Sequence, residues 1–155
     1  MKRNLHLRPL SRQHHNGLLA VLLLRKGIKK NAAGSVMNDF IESLFKEDLE
    51  EHFLMEEKYL LPPMLQHPVL KPFAEKILED HRQLHMLSKK ANQSGSPGDI
   101  TVFADHLEQH IRFEERTAFP AAEKYLKEEE LESIGNILKH HDDKNCISYP
   151  VKFWE

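Results

Sequence analysis

The chain has 155 residues, of which 40% are hydrophobic and 30% charged, so it is long enough for one globular domain with a sizeable core. Its formal net charge of -2 argues against a general nucleic-acid binder, which would be clearly basic. The single cysteine, Cys146, excludes an internal disulfide and a zinc–thiolate cluster. Six glycines among many Leu, Glu, Lys and His residues favour helices.

Two helices are predicted in the first half of the chain. The first begins near Pro9, where apolar residues start to recur at helical spacing. Its apolar run at 18–24 is too short to span a bilayer, so we interpret it as a buried segment of a cytoplasmic protein. Ser35 is the predicted cap of the second helix, and Pro62 should end that helix because proline lacks an N–H donor.

The second half of the chain contains three further predicted helices. The third starts near 69–72 and is followed at 94–98 by the clearest loop in the chain. Asp99 is the predicted cap of the fourth helix, which Pro120 should kink or break. A shorter fifth helix, at about 128–141, precedes an irregular tail.

These elements predict an all-α protein. Long helices joined by short connections pack as antiparallel neighbours, which gives an up-and-down four-helix bundle. We expect a single domain over 1–155, with the bundle at about 9–127. The short fifth helix and the irregular C-terminal tail then occupy 128–155.

An internal repeat relates the second helix to the fourth. The stretch HFLMEEKYLLP at 52–62 matches HIRFEERTAFP at 110–120 in its His, Glu, Glu and Pro. The helices that precede these stretches also correspond, around His14 and His81. The sequence therefore predicts two helical hairpins, each with a single His followed by a His and a Glu four residues apart.

The spacing within the repeat indicates a metal site. A His and a Glu four residues apart lie on the same helix face and can reach one locus. Apolar neighbours such as Phe53 and Ile111 place these pairs at the core, where a carboxylate without a partner is very costly. Four imidazoles and two carboxylates suit iron, and also manganese or zinc. The candidate ligands are His14, His52, Glu56, His81, His110 and Glu114.

Some histidines compete for roles in this site. His14 and His15 compete for one position, and His14 is chosen because it continues the apolar stripe of Leu10 and Val21. His106 lies one turn before His110 and is interpreted as a supporting or surface residue.

The repeated motif and the two single histidines resemble the hemerythrin family, specifically the hemerythrin-like HHE cation-binding domain, over about 10–120. The resemblance implies a four-helix bundle with two iron ions in a non-haem di-iron centre, which in many members reacts reversibly with dioxygen. It also implies that the six candidate residues are the ligands. His85 lies four residues after His81, where oxygen-carrying members have a further histidine. His85 is therefore either a seventh metal ligand or a supporting residue.

The second motif departs from that of the oxygen carriers. They place Asp five residues after the last His, whereas Glu114 follows His110 by four. This difference favours a protein that reacts with dioxygen or a similar small oxidant in sensing, storage or redox handling over simple oxygen transport. The alternative is a redox enzyme of the ferroxidase, peroxidase, nitric-oxide or iron–sulfur repair type. A metal-free interaction protein would require the repeat to be incidental. Neither a nucleic acid nor a membrane is a predicted partner.

Overall fold

The computed structural model describes residues 2–140 and 151–155, so Cys146 and the rest of 141–150 lie outside the described residues. All regular secondary structure in these two ranges is helical, which confirms the prediction of an all-α protein. Within the same ranges, no helix combines the length and the apolar character needed to cross a membrane.

Eight α-helical segments form the described part of the chain. They are α1 (Arg8–Lys29), α2 (Gly34–Leu44), α3 (Glu50–Met55), α4 (Leu61–Leu65), α5 (Lys71–Ser94), α6 (Pro97–Phe113), α7 (Phe119–Tyr125) and α8 (Glu128–Lys139). A 3-10 turn, Leu5–Leu7, precedes α1. Three π-helical turns, Phe45–Leu49, Glu56–Leu60 and Glu114–Ala118, link α2 to α3, α3 to α4 and α6 to α7. The helical rods at 34–65 and 97–125 are therefore continuous.

The prolines of the repeat lie inside these rods. The N–H of Leu61 donates to the carbonyl of Glu56, five residues back, and this π turn sets Pro62 in the first turn of α4. No N–H donor is required at that position, so the helix continues. The second rod repeats the arrangement, with a π turn that starts at Glu114 and precedes Pro120. The prediction that Pro62 ends its helix is wrong, and Pro120 does not break the fourth.

The capping residues in the structure also differ from those predicted from the sequence. At the start of α6 the side chain of Ser96 accepts the N–H of Asp99 at 3.1 Å, so the capping residue is Ser96. The second helix begins at Gly34 without a side-chain cap, and Ser35 lies inside its first turn. The sequence suggested the wrong residues because several neighbouring polar side chains can cap a helix, and the backbone path decides between them.

The long helices enclose two apolar clusters. Helix α6 packs against α1 and α5, α2 packs against α5, and α8 packs on the 3-10 turn and α1. The first cluster contains Phe40 and Phe103 and is built mainly from α1, α2, α5 and α6. The second contains Leu10 and Phe119 and includes the buried face of α8.

A layer of buried polar residues separates the two clusters. Along α1, His14 lies between Leu10 of the second cluster and Ala20 of the first. Along α5, His81 lies in the same way between Ile77 and Leu84. The histidines and glutamates of the repeated motif are buried at the same level of the two rods. The candidate ligands are therefore shielded from water by apolar packing on both sides.

Phe153 closes the outer end of the first cluster. Its ring centroid lies 5.1 Å from that of Phe40, and a Cβ added at Gly27 would fall 2.6 Å from the Phe153 ring. Because Phe153→Ala removes a buried ring, we expect the free energy of unfolding to fall by about 3 kcal/mol. Chemical denaturation measures this value. The exposed Val151→Ala is the matched control and should change it by less than about 0.5 kcal/mol; equal effects would contradict the assignment.

Candidate metal centre

The six candidate ligands converge in the polar layer as two overlapping groups. One group contains His14, His52, Glu56 and Glu114, and its potential ligand atoms all lie within 4.8 Å of one another. The other contains His81, His110 and the same two glutamates, within the same distance. We call them the His14–His52 position and the His81–His110 position. Each position takes both imidazoles from one hairpin, whereas the carboxylates are common to both.

Each carboxylate contacts imidazoles of both hairpins. Oε1 of Glu56 lies 3.1 Å from Nε2 of His81 and 3.3 Å from Nε2 of His52. Oε1 of Glu114 lies 2.9 Å from Nε2 of His14 and 3.2 Å from Nε2 of His110. Both glutamate side chains are completely buried. The carboxylates therefore lie between the two positions, as groups that bridge two cations would.

In each of the four imidazoles, the Nδ1 nitrogen lies within hydrogen-bond distance of an oxygen acceptor. The Nδ1 contacts are His14 with Glu115 at 3.1 Å, His52 with Gln13 at 2.6 Å, His81 with Glu57 at 2.8 Å and His110 with Asp80 at 3.1 Å. A hydrogen bond at Nδ1 selects the ring orientation and tautomer that leave Nε2 free to bind a metal. The four rings are thus oriented with Nε2 towards the glutamates.

The carboxylates strongly favour protonated imidazoles when no cation is bound. Burial lowers the pKa of His14, but hydrogen bonds to Glu114 and Glu115 outweigh it and raise the pKa to about 9. Burial likewise lowers the pKa of His110, but Glu114 and Asp80 raise it to about 10. The pKa values of the other two imidazoles shift upward as well. The buried glutamates therefore stabilise positive charge on the groups around them.

Unpartnered atoms in the cluster fit a metal ion. Five buried side-chain polar atoms of the described residues lack a hydrogen-bond partner, and four of them belong to the site. They are Nε2 of His52, Nε2 of His110, Oε2 of Glu56 and Oε2 of Glu114. The two Nε2 atoms lie 3.3 and 3.2 Å from glutamate oxygens, but as ion-pair contacts without hydrogen-bond geometry. Buried polar atoms without partners are rare because they are costly. Imidazole nitrogen and carboxylate oxygen suit iron and other divalent transition metals, which would satisfy these atoms.

His85 lies beside the two groups and belongs to neither. Its ring contacts the rings of Phe45 and Phe53, with centroid distances of 5.1 and 6.0 Å. His15 is exposed, whereas His14 is buried. His106 is half-buried, and its Nε2 lies 3.7 Å from Oδ1 of Asp80. The structure therefore brings six of the seven predicted residues together.

The residues that hold the imidazoles were not predicted from the sequence. Gln13 and Asp80 each stand immediately before the single histidine of a hairpin, so the repeat itself aligns them. Glu57 and Glu115 are the second members of the repeated Glu-Glu pair. The repetition was the available signal. The roles of these four residues could not be predicted from the repeat, because their contacts with the imidazoles join different helices.

The fold and the buried histidines and glutamates together define an all-α protein whose polar clusters fit a metal site. Among known families, the model of the hemerythrin HHE cation-binding domain matches residues 7–122, which is most of the chain. The chain belongs to this family, and the resemblance predicted from the motifs is confirmed. Neither the curated proteins nor the solved structures gave a significant match.

Proposed function

We propose that this chain is a non-haem di-iron protein that reacts with dioxygen or a related small oxidant in sensing, storage or redox handling. The proposed ligands are His14, His52, Glu56, His81, His110 and Glu114. The observation that carries the proposal is the pair of overlapping ligand groups with both carboxylates in common. Two carboxylates shared between two positions suit a pair of cations because they offset part of the mutual repulsion of the ions.

The proposal includes an up-and-down four-helix bundle as the scaffold. The long rods are joined by short connections, and α6 contacts both α1 and α5. Such connections favour antiparallel neighbours, and facing helices of a bundle are a common place for carboxylate-bridged metal pairs. In this proposal the chain is one domain, with α8 as a short added helix.

A small cavity beside the His14–His52 position supports a small oxidant as the ligand. The cavity has a volume of about 30 Å³, and its lining includes Gly17, Phe53 and Ile111. One water molecule needs roughly 10–15 Å³ of such space, so the cavity can hold a diatomic molecule. Its lining surface is mostly apolar, and Gln13, Asn16, Asp48 and Glu51 also line it. A ferrous pair, when bound, would supply the electrons for reaction with dioxygen.

The experiment that tests the proposal is metal analysis of the purified protein, followed by anaerobic loading with iron and exposure to dioxygen. We expect two irons per chain and a visible charge-transfer band that appears with dioxygen and reverses on its removal. A protein that stays metal-free and colourless after loading would overturn the proposal. Sustained turnover of peroxide or ferrous ion, beyond one reaction per site, would identify a redox enzyme instead.

Gly17 offers a variant that fills the cavity without removing a ligand. A Cβ at Gly17 would lie 2.6 Å from Cδ1 of Ile111, so Gly17→Val adds atoms to the cavity lining and forces Ile111, which also lines the cavity, to shift. We expect the rate of the dioxygen reaction to fall at least about tenfold, while iron content stays unchanged. Stopped-flow absorbance measures the rate. The exposed Leu22→Val on the same helix is the control, and an unchanged rate in Gly17→Val would contradict this role of the cavity.

A further inference from the structure

The two cation positions have ligand groups of the same composition but different surroundings. Each has two imidazoles and the two shared glutamates. In each, one imidazole is held at Nδ1 by a glutamate, Glu115 for His14 and Glu57 for His81. The two positions differ in the residue that holds their other imidazole, which is His52 in one position and His110 in the other.

That difference lies at two equivalent places of the repeat. Oε1 of Gln13 lies 2.6 Å from Nδ1 of His52, and Oδ2 of Asp80 lies 3.1 Å from Nδ1 of His110. Both acceptors precede the single histidine of their hairpin. One acceptor is a neutral amide and the other is a carboxylate that is 6% exposed. At Nδ1, the imidazole of His110 thus contacts a carboxylate, whereas the imidazole of His52 contacts a neutral amide.

Neighbouring cations offset this difference only in part. Nζ of Lys76 lies 3.0 Å from Asp80, and Lys76 is about half exposed. On the other side, Nη2 of Arg3 lies 3.9 Å from the carboxylate of Glu115. Nε2 of His106 also lies 3.7 Å from Asp80. Because Lys76 is half exposed, water screens its charge, so it offsets only part of the buried Asp80 charge and the contrast between amide and carboxylate remains.

From this contrast we propose that the two positions bind divalent cations with unequal affinity, and that the His81–His110 position fills first because Asp80 supports its ligand. The inference rests on the metal centre proposed above. A carboxylate hydrogen-bonded to Nδ1 makes Nε2 a stronger donor to a metal, and such outer partners change metal affinity by roughly 10- to 100-fold. Asp80 and Gln13 are accordingly positioning residues that set the order of loading.

The test is calorimetric titration of the metal-free full-length protein with Co²⁺. We expect two steps with dissociation constants at least about tenfold apart. Asp80→Asn keeps an oxygen acceptor and removes the charge, so it should weaken the tighter step about 10- to 100-fold and leave the weaker step in place. Gln13→Glu adds the charge at the other position and should tighten the weaker step. The double variant should reverse which histidine pair is occupied first.

Two further variants separate the charge effect from a structural one. Lys76→Met removes the cation that opposes Asp80 and should tighten the first step, which is the opposite of the effect of Asp80→Asn. His85→Ala tests whether a seventh ligand causes the inequality instead. If His85→Ala makes the two steps equal while Asp80→Asn leaves them apart, the proposal is overturned.

The failure of this inference is distinguishable from failure of the metal centre. If the wild-type protein binds no Co²⁺, the centre itself is overturned and the inference with it. Two equal dissociation constants, or constants that Asp80→Asn leaves within about twofold, would overturn the inequality while the metal centre stands.

Discussion

Glu56→Gln and Glu114→Gln should each abolish binding of both cations, whereas His52→Ala should abolish binding of one. Both glutamates belong to both ligand groups, while His52 belongs only to the His14–His52 position. Loss of a shared carboxylate removes a ligand and a compensating charge from two positions at once. Loss of one imidazole leaves the other group with all its members. For each glutamate variant, we expect the affinity of both positions to fall at least about 100-fold, so that neither is occupied after loading.

Iron and cobalt content after loading, measured per chain by elemental analysis, checks this expectation. Glu50→Gln is a suitable control because Glu50 is exposed on the same rod and should keep full occupancy. Circular dichroism of the metal-free variants confirms that each remains helical. Binding of one cation by Glu114→Gln would contradict the sharing of the carboxylates, as would loss of both cations in His52→Ala.

The metal-free and metal-loaded proteins should respond to pH in opposite ways. In the metal-free fold, the pKa of His14 is raised from 6.5 to about 9 and that of His110 to about 10. A raised folded-state pKa contributes stability that is full below the unfolded value of 6.5 and is lost as pH rises through the folded value. His14 alone corresponds to roughly 3 kcal/mol. The metal-free protein should therefore lose stability between pH 6.5 and about pH 10.

The carboxylates set the acid limit of that stability. Burial raises the pKa of Glu114, but the neighbouring imidazoles hold it well below 4.5, so its contribution is present above the unfolded value and lost as the solution becomes more acidic. The metal-free protein should be most stable between roughly pH 5 and 6.5. Metal binding needs neutral imidazoles and releases their protons, so affinity and the stability of the loaded protein should increase with pH.

Urea denaturation at pH 6, 8 and 10, with and without Co²⁺, measures both trends. His15→Ala is the control for an exposed histidine and should leave both curves unchanged. His110→Ala should flatten the alkaline loss in the metal-free protein. A metal-free stability that is constant from pH 6.5 to pH 9 would contradict the strong pairing of these imidazoles with the buried glutamates.

Some features of the site could be predicted because they depend on short-range geometry. A spacing of four residues places His52 and Glu56 on one helix face whatever the rest of the fold does. The repeat then extended the same reasoning to His110 and Glu114. Burial of these pairs followed from their apolar neighbours, and the family was recognisable from the order and spacing of the motifs.

Helix ends were harder to predict because alternatives of similar energy compete at each one. A proline such as Pro62 usually ends a helix, but a π turn removes the need for its missing donor. Similarly, Ser96 and Asp99 are both good capping residues, and only the path of the backbone into α6 selects Ser96. Single-residue preferences cannot rank such alternatives.

The sequence by itself determined the helical character of this protein, its two-hairpin repeat and the six residues that the site brings together. Only the tertiary structure decided that both glutamates belong to both candidate ligand groups, and that His52 is held by an amide while His110 is held by a carboxylate. The physical reason is the distance along the chain between the residues that interact. Positions four apart on one helix are fixed by helix geometry, whereas contacts between helices depend on how the helices pack side by side.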